Sequence, residues 1–574
     1  MYKNYNEMNS VPRSLGVVSS YMKSKRFWLF CILVLFCVYF IWSITAPHDI
    51  FWSLDEGGKF IYLRSIQETG RINTSLIYPA KTLDPNLEFI PLYYFIPGDG
   101  QIFSWWPIAL PLVTLPFYQI FGWIGLFILP ALAGAIIAGL TGYLIQRLTG
   151  SKKAGVVGFL ITGLATPVTF YATRYWEHTL STALVLVTLV AMLDVIEKEQ
   201  LWYAILAGLC GSIAVFFRLD TVVLLVGFGL IVLLRKPRQA LIIVICGGIV
   251  TGLWILLNQW VAGNPFGPTF GKIIETGTFS GIQNNGWKLI PYILFNPPRV
   301  DGFIFPHWAL VVAMLALLTG CILAPINKLR WISLISFGLT ILVCAYVAFQ
   351  PTCYQAVHGF ILAVPAITLS WYYFVNPPIW KRYYHFTTML ITALLFYGLI
   401  YIWKAWMGAG GLQWGPRYLL TLYPLLICSA ILYIHQQWNL HDNHSWRVGL
   451  IVIFSFAVFV GLIINIRGLI TSRTLINFYE PGKNLVLSLD APVVIPWQGY
   501  VMDAPELYLS GKVISFQLED NRRISWEQHL EQLGITHYYY VEPLTVDNAP
   551  LETILERLKN HPAGVLVTRV DIQP

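Results

Sequence analysis

Residues 27–46 read FWLFCILVLFCVYFIWSITA, an uncharged apolar run of about 20 residues, the length that an α-helix needs to cross a bilayer. A signal peptide has a shorter apolar core followed by a small-residue cleavage site, and no such site follows this run. We therefore interpret it as a retained membrane anchor. Residues 1–26 end in the basic cluster KSKR, so they are predicted to form a cytoplasmic tail.

The composition of the whole chain indicates the same class of protein. Of its 574 residues, 56% are hydrophobic and only 11% are charged, which excludes a globular fold in water. The net charge is +8, but the basic residues stand in short clusters between apolar runs, as at residues 147–153 and 235–238. This pattern is typical of cytoplasmic loops rather than of a surface that binds nucleic acid, so no nucleic-acid partner is expected.

The apolar runs predict about 13 transmembrane helices. The run at 201–234 is too long for one span and contains Arg218 and Asp220, so we predict two short helices that meet at this charged pair. Single spans are predicted at 27–46, 123–146, 154–172, 179–196, 240–261, 306–324, 331–349, 359–375, 386–403, 418–434 and 447–466.

Counting Lys and Arg in the loops predicts which segments lie outside. The count places the turn at 174–178 and the tail outside, and it divides the chain into a transmembrane domain at 27–466, with a first outer loop at 47–122, and a tail at 467–574. Residues 105–122 of that loop are apolar but contain three prolines, which predicts an interfacial helix rather than a span.

The tail has a different pattern from the membrane part. Strand-like runs NLVLSL, THYYYV and GVLVTRV alternate with helical patterns WEQHLEQLG and LETILERLKN, which predicts a small extracytoplasmic α/β domain. The predicted fold class is thus a polytopic α-helical membrane protein with a C-terminal α/β domain.

The residues 53–59, SLDEGGK, place two carboxylates and a lysine directly after the first span. A carboxylate such as Asp55 or Glu56 can take a proton from an attacking hydroxyl, and a cation such as Lys59 can neutralise a phosphate leaving group. The alternative is a solvated helix start, in which both acids are favoured by the helix dipole. For an isolated acidic pair this alternative is the more common one.

A second acidic turn, RYWEH at 174–178, is predicted on the same face as the first, and charges at such a depth usually line a cavity. In the alternative interpretation Glu177 pairs with Arg174 or caps the helix that starts at Thr179. His178 could bind a divalent metal together with Glu56 or Glu177, but a single histidine at an interface is more often a plain hydrogen-bonding residue. No cofactor is therefore required, and a divalent metal remains an alternative.

Two further arginines stand next to predicted spans. Arg417 lies in WGPRY after a glycine-rich stretch, with Lys404 across the turn, and its guanidinium is the fork that fits phosphate oxygens. The alternative is an arginine that snorkels to the headgroups. For Arg218 the favoured interpretation is an ion pair with Asp220.

Four segments together resemble the GT-C superfamily of glycosyltransferases that use polyprenyl-phosphate sugars, in the branch of the protein O-mannosyltransferases and the lipid A aminoarabinose transferases. These segments read DEGGKFIYLRSIQETG, SWWPIALPLVTLPFYQIFG, LATPVTFYATRYWEHTLSTALV and GLQWGPRYLLTLYPLL. The resemblance implies a GT-C-like membrane domain in which Asp55 lies near the acceptor with Glu56 as its motif partner. It further implies that Glu177 supplies another carboxylate and that Arg417 faces the carrier phosphate. Gly58 stands where a DEAR-type motif has its arginine, and Lys59 follows it.

The function that follows is transfer of a sugar from a polyprenyl-phosphate carrier to a lipid, polysaccharide or protein acceptor, in one inverting step, at the outer face of the plasma (inner) membrane. The residues expected to act are Asp55, Glu56 and Glu177 as catalytic groups, Lys59, Arg417 and Lys404 at the donor phosphate, and Arg174, His178 and Arg218 in support. Two alternatives are an oligosaccharide polymerase or ligase and a transporter of lipid-linked sugar. The acidic pair after the first span argues against the ligase. The absence of paired broken helices and of two similar halves in the sequence pattern argues against the transporter.

Overall fold

The structure, a computed structural model, describes the greater part of the chain and leaves a few segments out. The described residues are 15–92, 95–98, 100–198, 200–268, 294–295, 307–349, 357, 359–405, 413–440, 443–544, 556–557 and 559–572. Within these ranges the chain is mainly α-helical and carries two small β-sheets.

The helices fall into a membrane part and a C-terminal part. In the membrane part they are α1 Leu15–Ile44, α2 Leu54–Thr69, α3 Ala109–Phe121, α4 Ile128–Thr149, α5 Lys152–Leu164, α6 Val168–Ala172, α7 His178–Lys198, α8 Leu201–Phe217, α9 Thr221–Arg235, α10 Pro237–Ala262, α11 His307–Leu323, α12 Arg330–Ala348, α13 Phe360–Ala363, α14 Trp371–Phe374, α15 Pro377–Arg382, α16 Tyr384–Ala405, α17 Leu422–Leu440 and α18 His444–Ser488. The C-terminal part adds α19 Gln498–Asp503, α20 Glu506–Leu509 and α21 Arg523–Gln532.

In the described part of the chain, six helices are long and apolar enough to cross a membrane. Three shorter apolar helices, α8, α9 and most of α11, accompany them. The protein is therefore a polytopic helical membrane protein. The total of about 13 spans stays a prediction from the length that a span needs.

The division of the run at 201–234 is confirmed, because α8 ends at Phe217 and α9 begins at Thr221. Two other predicted spans are not continuous helices. The run at 154–172 breaks between α5 and α6, and the run at 359–375 consists of α13, a 3-10 helix at Pro365–Ser370 and α14. Pro167 and Pro365 explain both breaks, since proline lacks an N–H donor and disfavours a helical conformation in the residue before it.

Helix α1 begins at Leu15, and its apolar part that can cross a membrane, Arg26–Ile44, agrees with the span predicted at 27–46. One predicted strand was wrong. Helix α18 runs past residue 466 to Ser488, so NLVLSL is helical and not a strand. A short apolar run does not distinguish a helix from a strand by itself. Packing decides here, since Phe478, Gly482 and Val486 are buried at helical spacing along one face of α18.

The strands form two sheets. Strands β1 Ser75–Leu76, β2 Phe95–Gly98 and β3 Gln101–Ser104 make an antiparallel sheet in the order β1-β3-β2. The second sheet has the order β5-β4-β6-β7, in which β4 runs parallel to β5 and β6, while β6 and β7 are antiparallel. Its strands are β4 Val493–Val494, β5 Val513–Ile514, β6 His537–Pro543 and β7 Val565–Asp571. The runs THYYYV and GVLVTRV are therefore strands as predicted, and WEQHLEQLG is α21. Most of LETILERLKN lies outside the described residues.

The second sheet shares a hydrophobic core with the first loop. Leu83 and Phe89 of that loop are buried in one cluster with Phe516 and Trp526 of the C-terminal part. The indole N–H of Trp526 donates to the carbonyl of Leu83 at 2.8 Å, and the N–H of Ser515 donates to the carbonyl of Phe89 at 2.9 Å. The two segments therefore hold one another in place above the site described below.

Candidate active site

Helix α2 begins directly at the acidic pair and is buried along most of its first half. Asp55 and Glu56 occupy its first turn, and Gly57, Gly58 and Lys59 behind them are buried. A solvated helix start does not describe this pair, because Glu56 is only 1% exposed and the side chain of Asp55 only 21%. The helix dipole still favours both acids, but it acts inside the protein rather than in water.

The two glycines explain how α2 comes so close to its neighbours. A Cβ on Gly57 would lie 1.6 Å from the backbone oxygen of Met502 in α19, and a Cβ on Gly58 would lie 2.0 Å from the ring of Trp106. The position at which a DEAR-type motif carries arginine is therefore filled by the indole of Trp106. That indole N–H donates to Asp55 Oδ1 at 3.4 Å.

Asp55 forms an ion pair with Arg417, which lies 362 residues further along the chain. Arg417 Nη1 and Asp55 Oδ2 are 2.7 Å apart, and the two side chains are 12% and 21% exposed. The turn before the arginine requires glycine, because Gly415 has a φ of +67° and its neighbour is Pro416. The alternative interpretation of Arg417, snorkelling to the headgroups, does not describe this contact, since the guanidinium pairs with a carboxylate.

Glu177 pairs with Lys59 and not with Arg174. Lys59 Nζ lies 2.6 Å from Glu177 Oε2. The predicted pairing of Glu177 with Arg174 was thus wrong. The other alternative was correct in position, because α7 begins at His178, directly after Glu177, and the carbonyl of Glu177 accepts from the N–H of Ser181 at 3.0 Å.

Trp176 brings the two ion pairs together. Its ring centroid lies 5.2 Å from the guanidinium carbon of Arg417 and 5.9 Å from Lys59 Nζ. Both cations are within the range of a cation–π contact, so one buried indole separates and orients them. Two carboxylates and two cations, drawn from three distant parts of the chain, therefore surround one aromatic ring.

Glu56 is held by backbone amides. Its Oε1 accepts from the N–H of Tyr175 at 2.9 Å, and its Oε2 accepts from the N–H of Ser53 at 3.2 Å. Burial raises the pKa of Glu56, and Arg174, these amides and Lys59 only partly oppose that effect. The side chain therefore fixes α2 to the turn before α7 and is less available than Asp55 to an incoming substrate.

The pKa of Asp55 moves in the opposite direction. Burial alone would raise the pKa of this carboxyl, but the charges of Arg417 and Lys59 and the hydrogen bonds from Arg417 and Trp106 together outweigh burial. The pKa consequently lies below its ordinary value, and Asp55 is ionised at neutral pH.

The supporting residues lie beside this group. Arg218 and Asp220 form the predicted ion pair at 2.9 Å. Arg218 Nη1 also lies 2.5 Å from His178 Nε2. Because a guanidinium only donates, this contact assigns the lone pair to Nε2 and the ring proton to Nδ1. The described residues form no group of three or more His, Cys, Asp or Glu arranged to hold a metal.

One predicted cation, Arg174, stands apart from the two ion pairs around Trp176. Arg174 is buried, and its Nη2 donates to the hydroxyl of Ser472 in α18. Lys404 belongs to the last turn of α16, and its side chain lies outside the described part of the chain.

Asp503, at the end of α19, is a site residue that the sequence did not reveal. It is 4% exposed, and its carbonyl accepts from the N–H of Phe51 at 2.7 Å. Burial raises the pKa of its carboxyl well above the ordinary value, and the charges of Glu56 and Asp55 add to that effect. The only signal was an acid within the short apolar run GYVMDAP.

No protein-family model and no curated protein matches the chain. Among solved structures it is similar to ArnT from Cupriavidus metallidurans in the apo state, at 13% identity and a TM-score of 0.46, over 95% of this chain and 98% of that chain. It is similar to the same protein bound to undecaprenyl phosphate at 12% identity and a TM-score of 0.46, over 94% of this chain and 98% of that chain. A third structure is the oligosaccharyltransferase of Archaeoglobus fulgidus in the apo form, at 11% identity and a TM-score of 0.43, over 88% of this chain and 69% of that chain.

The identities and TM-scores are low, so the function proposed below rests on this chain's own residues.

Proposed function

We propose that the protein is an inverting glycosyltransferase of the plasma (inner) membrane that moves a sugar from a polyprenyl-phosphate carrier to an acceptor hydroxyl on the non-cytoplasmic face. The acceptor is a lipid, a polysaccharide or a protein. One observation carries the proposal: the ion pair of Asp55 and Arg417 lies beside that of Lys59 and Glu177 around one indole. A carboxylate that can take a proton and cations that can hold a phosphate thereby meet at one point.

Arg417 keeps donors for a ligand. One terminal nitrogen bonds Asp55, while its Nε is buried and has no acceptor among the described residues. A buried donor without a partner is costly, and phosphate oxygens fit the guanidinium fork. These facts support Arg417 as the group that holds the carrier phosphate.

The proposed reaction is a single displacement. The acceptor oxygen attacks the anomeric carbon while Asp55 takes its proton, so one C–O bond forms. The bond between the anomeric carbon and the phosphate oxygen breaks, and the polyprenyl phosphate leaves with the electron pair and one additional negative charge. Arg417 and Lys59 lie where that charge develops, which lowers the barrier. Attack from the face opposite the leaving group inverts the anomeric centre.

Because the proposed base, Asp55, is paired with the proposed phosphate-binding group, Arg417, binding of the donor changes the basicity of Asp55. While Arg417 is fully engaged with Asp55, the lowered pKa makes Asp55 a weak base. A carrier phosphate that shares Arg417 weakens this pairing, so the pKa of Asp55 rises toward its ordinary value. Donor binding therefore makes Asp55 a better base when the substrate is in place.

The distribution of basic residues supports the proposed face of the membrane. Lys152 Nζ lies 3.6 Å from the ring centroid of Phe27, so the cluster at 147–153 lies beside the start of the apolar part of α1, Arg26–Ile44. Asp55 follows the other end of α1. Basic clusters mark the cytoplasmic ends of spans, which puts the site on the opposite face.

A transporter of lipid-linked sugar is the second candidate, because the breaks at Pro167 and Pro365 are the kind of discontinuous helices that transporters use. The carbonyls near the breaks are satisfied within the protein, however. The carbonyl of Gly163 accepts from Tyr39 and Thr169, and that of Ala363 accepts from Asn465. Breaks whose carbonyls are bonded in this way serve packing rather than a cation.

The test uses purified protein in proteoliposomes with radiolabelled polyprenyl-phosphate sugars and extracts of candidate acceptors. A glycosyltransferase converts the carrier to polyprenyl phosphate and places the label on an acceptor. A transporter moves the labelled carrier between leaflets and leaves the sugar on it. Movement without transfer would contradict the proposal.

A further inference from the structure

Two arginines outside the ion pairs face one small pocket. Arg174 lies in the turn before α7, and Arg473 lies in α18 next to the serine that Arg174 contacts. Arg473 Nη2 donates to Thr45 Oγ1 at 2.6 Å, and its guanidinium carbon lies 5.5 Å from the ring centroid of Trp42. The pocket lies where α1 ends and is partly open to solvent.

The two arginines have one neighbouring acid, Glu56, and in the part of the chain that the structure describes neither arginine forms an ion pair with it. Arg174 Nε and Arg473 Nη1 are buried and have no acceptor there. The acid that lines the same pocket is Glu56, and both of its oxygens already accept backbone N–H groups. The buried Arg174 and the partly exposed Arg473 therefore share a single carboxylate. An excess of positive charge beside a buried guanidinium is costly, which favours an external anion.

Arg174 stays charged despite its burial. Burial lowers the pKa of Arg174 to about 10, with Glu56 opposing this effect and Arg473 adding to it. Arg174 is therefore a cation at neutral pH, and an anion between the two guanidiniums would relieve both the burial cost and their mutual repulsion.

The surroundings of the pocket are largely apolar. Aromatic rings of Trp42, Phe51, Trp123 and Phe127 line it. One helical turn before the contacts of Arg473, Ile41 of α1 and Ile470 of α18 are 57% and 53% exposed. A polar floor thus continues into an apolar surface formed by two membrane helices, which suits an amphiphile better than a soluble anion.

We propose that Arg174 and Arg473 form a site for the phosphate group of an anionic membrane phospholipid, whose acyl chains lie on the apolar surface of α1 and α18. Phosphate oxygens can accept from both guanidiniums, as bidentate recognition requires. The site is distinct from the pair of Asp55 and Arg417, and it does not depend on the glycosyltransferase activity.

The test measures lipid retention by native mass spectrometry after the purified protein is incubated with equal amounts of phosphatidylglycerol and phosphatidylcholine. The variants are Arg473→Gln, which removes the charge, and Arg473→Lys, which keeps the charge without the fork. Arg447→Gln is the matched control, because Arg447 lies on the same helix, donates to the carbonyl of Trp438 at 3.1 Å and lies 5.4 Å from the ring of Trp438.

We expect wild type and the Arg447→Gln control to prefer phosphatidylglycerol. In Arg473→Gln this preference should fall about tenfold, the effect of losing one charged hydrogen bond, and in Arg473→Lys it should fall less. If the variants elute as folded, monodisperse protein, a lower preference for phosphatidylglycerol reflects weaker binding and not misfolding.

Three outcomes would overturn the proposal. The first is equal retention of the two lipids by wild type. The second is stabilisation by inorganic phosphate that depends on Arg473 without any preference for the anionic lipid, which indicates a soluble anion. The third is loss of polyprenyl-phosphate binding in Arg473→Gln with phosphatidylglycerol retention unchanged, which assigns the pocket to the carrier.

Discussion

Arg417 bonds Asp55 through one terminal nitrogen, and this single contact joins the proposed base to the proposed phosphate-binding group. Neither residue could be paired from the sequence, since they are 362 positions apart. The sequence did indicate both as candidates, because each lies beside a predicted span. The geometry adds that they act on one another, so a substitution at one changes the pKa or the orientation of the other.

The guanidinium fork of Arg417 gives the first prediction. Arg417→Lys keeps the positive charge but loses the bidentate geometry, so the affinity for a polyprenyl-phosphate sugar should fall about tenfold or more while the folded yield stays close to wild type. Equilibrium binding of labelled donor to the purified protein measures the effect. Arg447→Lys, at the opposite end of the membrane part, serves as the control. Equal donor affinity in Arg417→Lys and wild type would contradict the proposal that Arg417 binds the carrier phosphate.

Asp503 gives a second prediction at the same scale. Because the folded-state pKa of this carboxyl is raised, the stability linked to its protonated form is fully present below the unfolded pKa of about 3.9 and is lost as pH rises through the folded pKa. The amide in Asp503→Asn cannot ionise. The unfolding temperature of this variant should therefore increase relative to that of wild type as pH rises. Thermal unfolding of both proteins over a pH series checks this, and a constant difference between them at all pH values would contradict it.

At the scale of elements, the tight packing of α2 against α19 and Trp106 positions the acidic pair. The two glycines allow this approach, and the sequence showed them only as a departure from a motif. The breaks within two of the membrane helices could not be predicted from the sequence. Pro167 and Pro365 lie inside apolar runs that satisfy the length of a span, and only the structure shows that the helices break there. The run NLVLSL is compatible with the period of a strand and with that of a helix. Burial at helical spacing along α18 shows that it is helical.

Gly57 tests the contact between α2 and α19. Gly57→Ala places a methyl group against the backbone oxygen of Met502, which cannot rotate away, so α2 and α19 must separate. We expect a loss of stability of about 1 to 3 kcal/mol, the usual cost of overpacking, together with reduced transfer. Gly252→Ala in α10 is the control, since a Cβ there meets nothing within 4 Å. Unfolding of both variants in detergent gives the comparison, and equal stability would show that α19 does not pack as described.

At the scale of the whole molecule, segments from the first loop, the turn before α7, the WGPRY turn and the C-terminal part all meet at the ends of the membrane helices. Composition and periodicity were enough to predict a polytopic membrane protein. They also placed the charged turns on one face. They could not show that Lys59 and Arg417 are each paired with a proposed carboxylate, because such pairing depends on how the helices pack in three dimensions.

The central claim is that Asp55 takes the proton of the acceptor, and its most direct test is the rate of sugar transfer per folded molecule in Asp55→Asn. The amide keeps the size of the side chain but cannot accept a proton, so transfer should fall by about a hundredfold or more. Asp520→Asn is the matched control, since Asp520 also pairs with an arginine, Arg522, but at the surface. We expect the control to transfer sugar at the wild-type rate. A well-folded Asp55→Asn protein with full transfer activity would contradict the account.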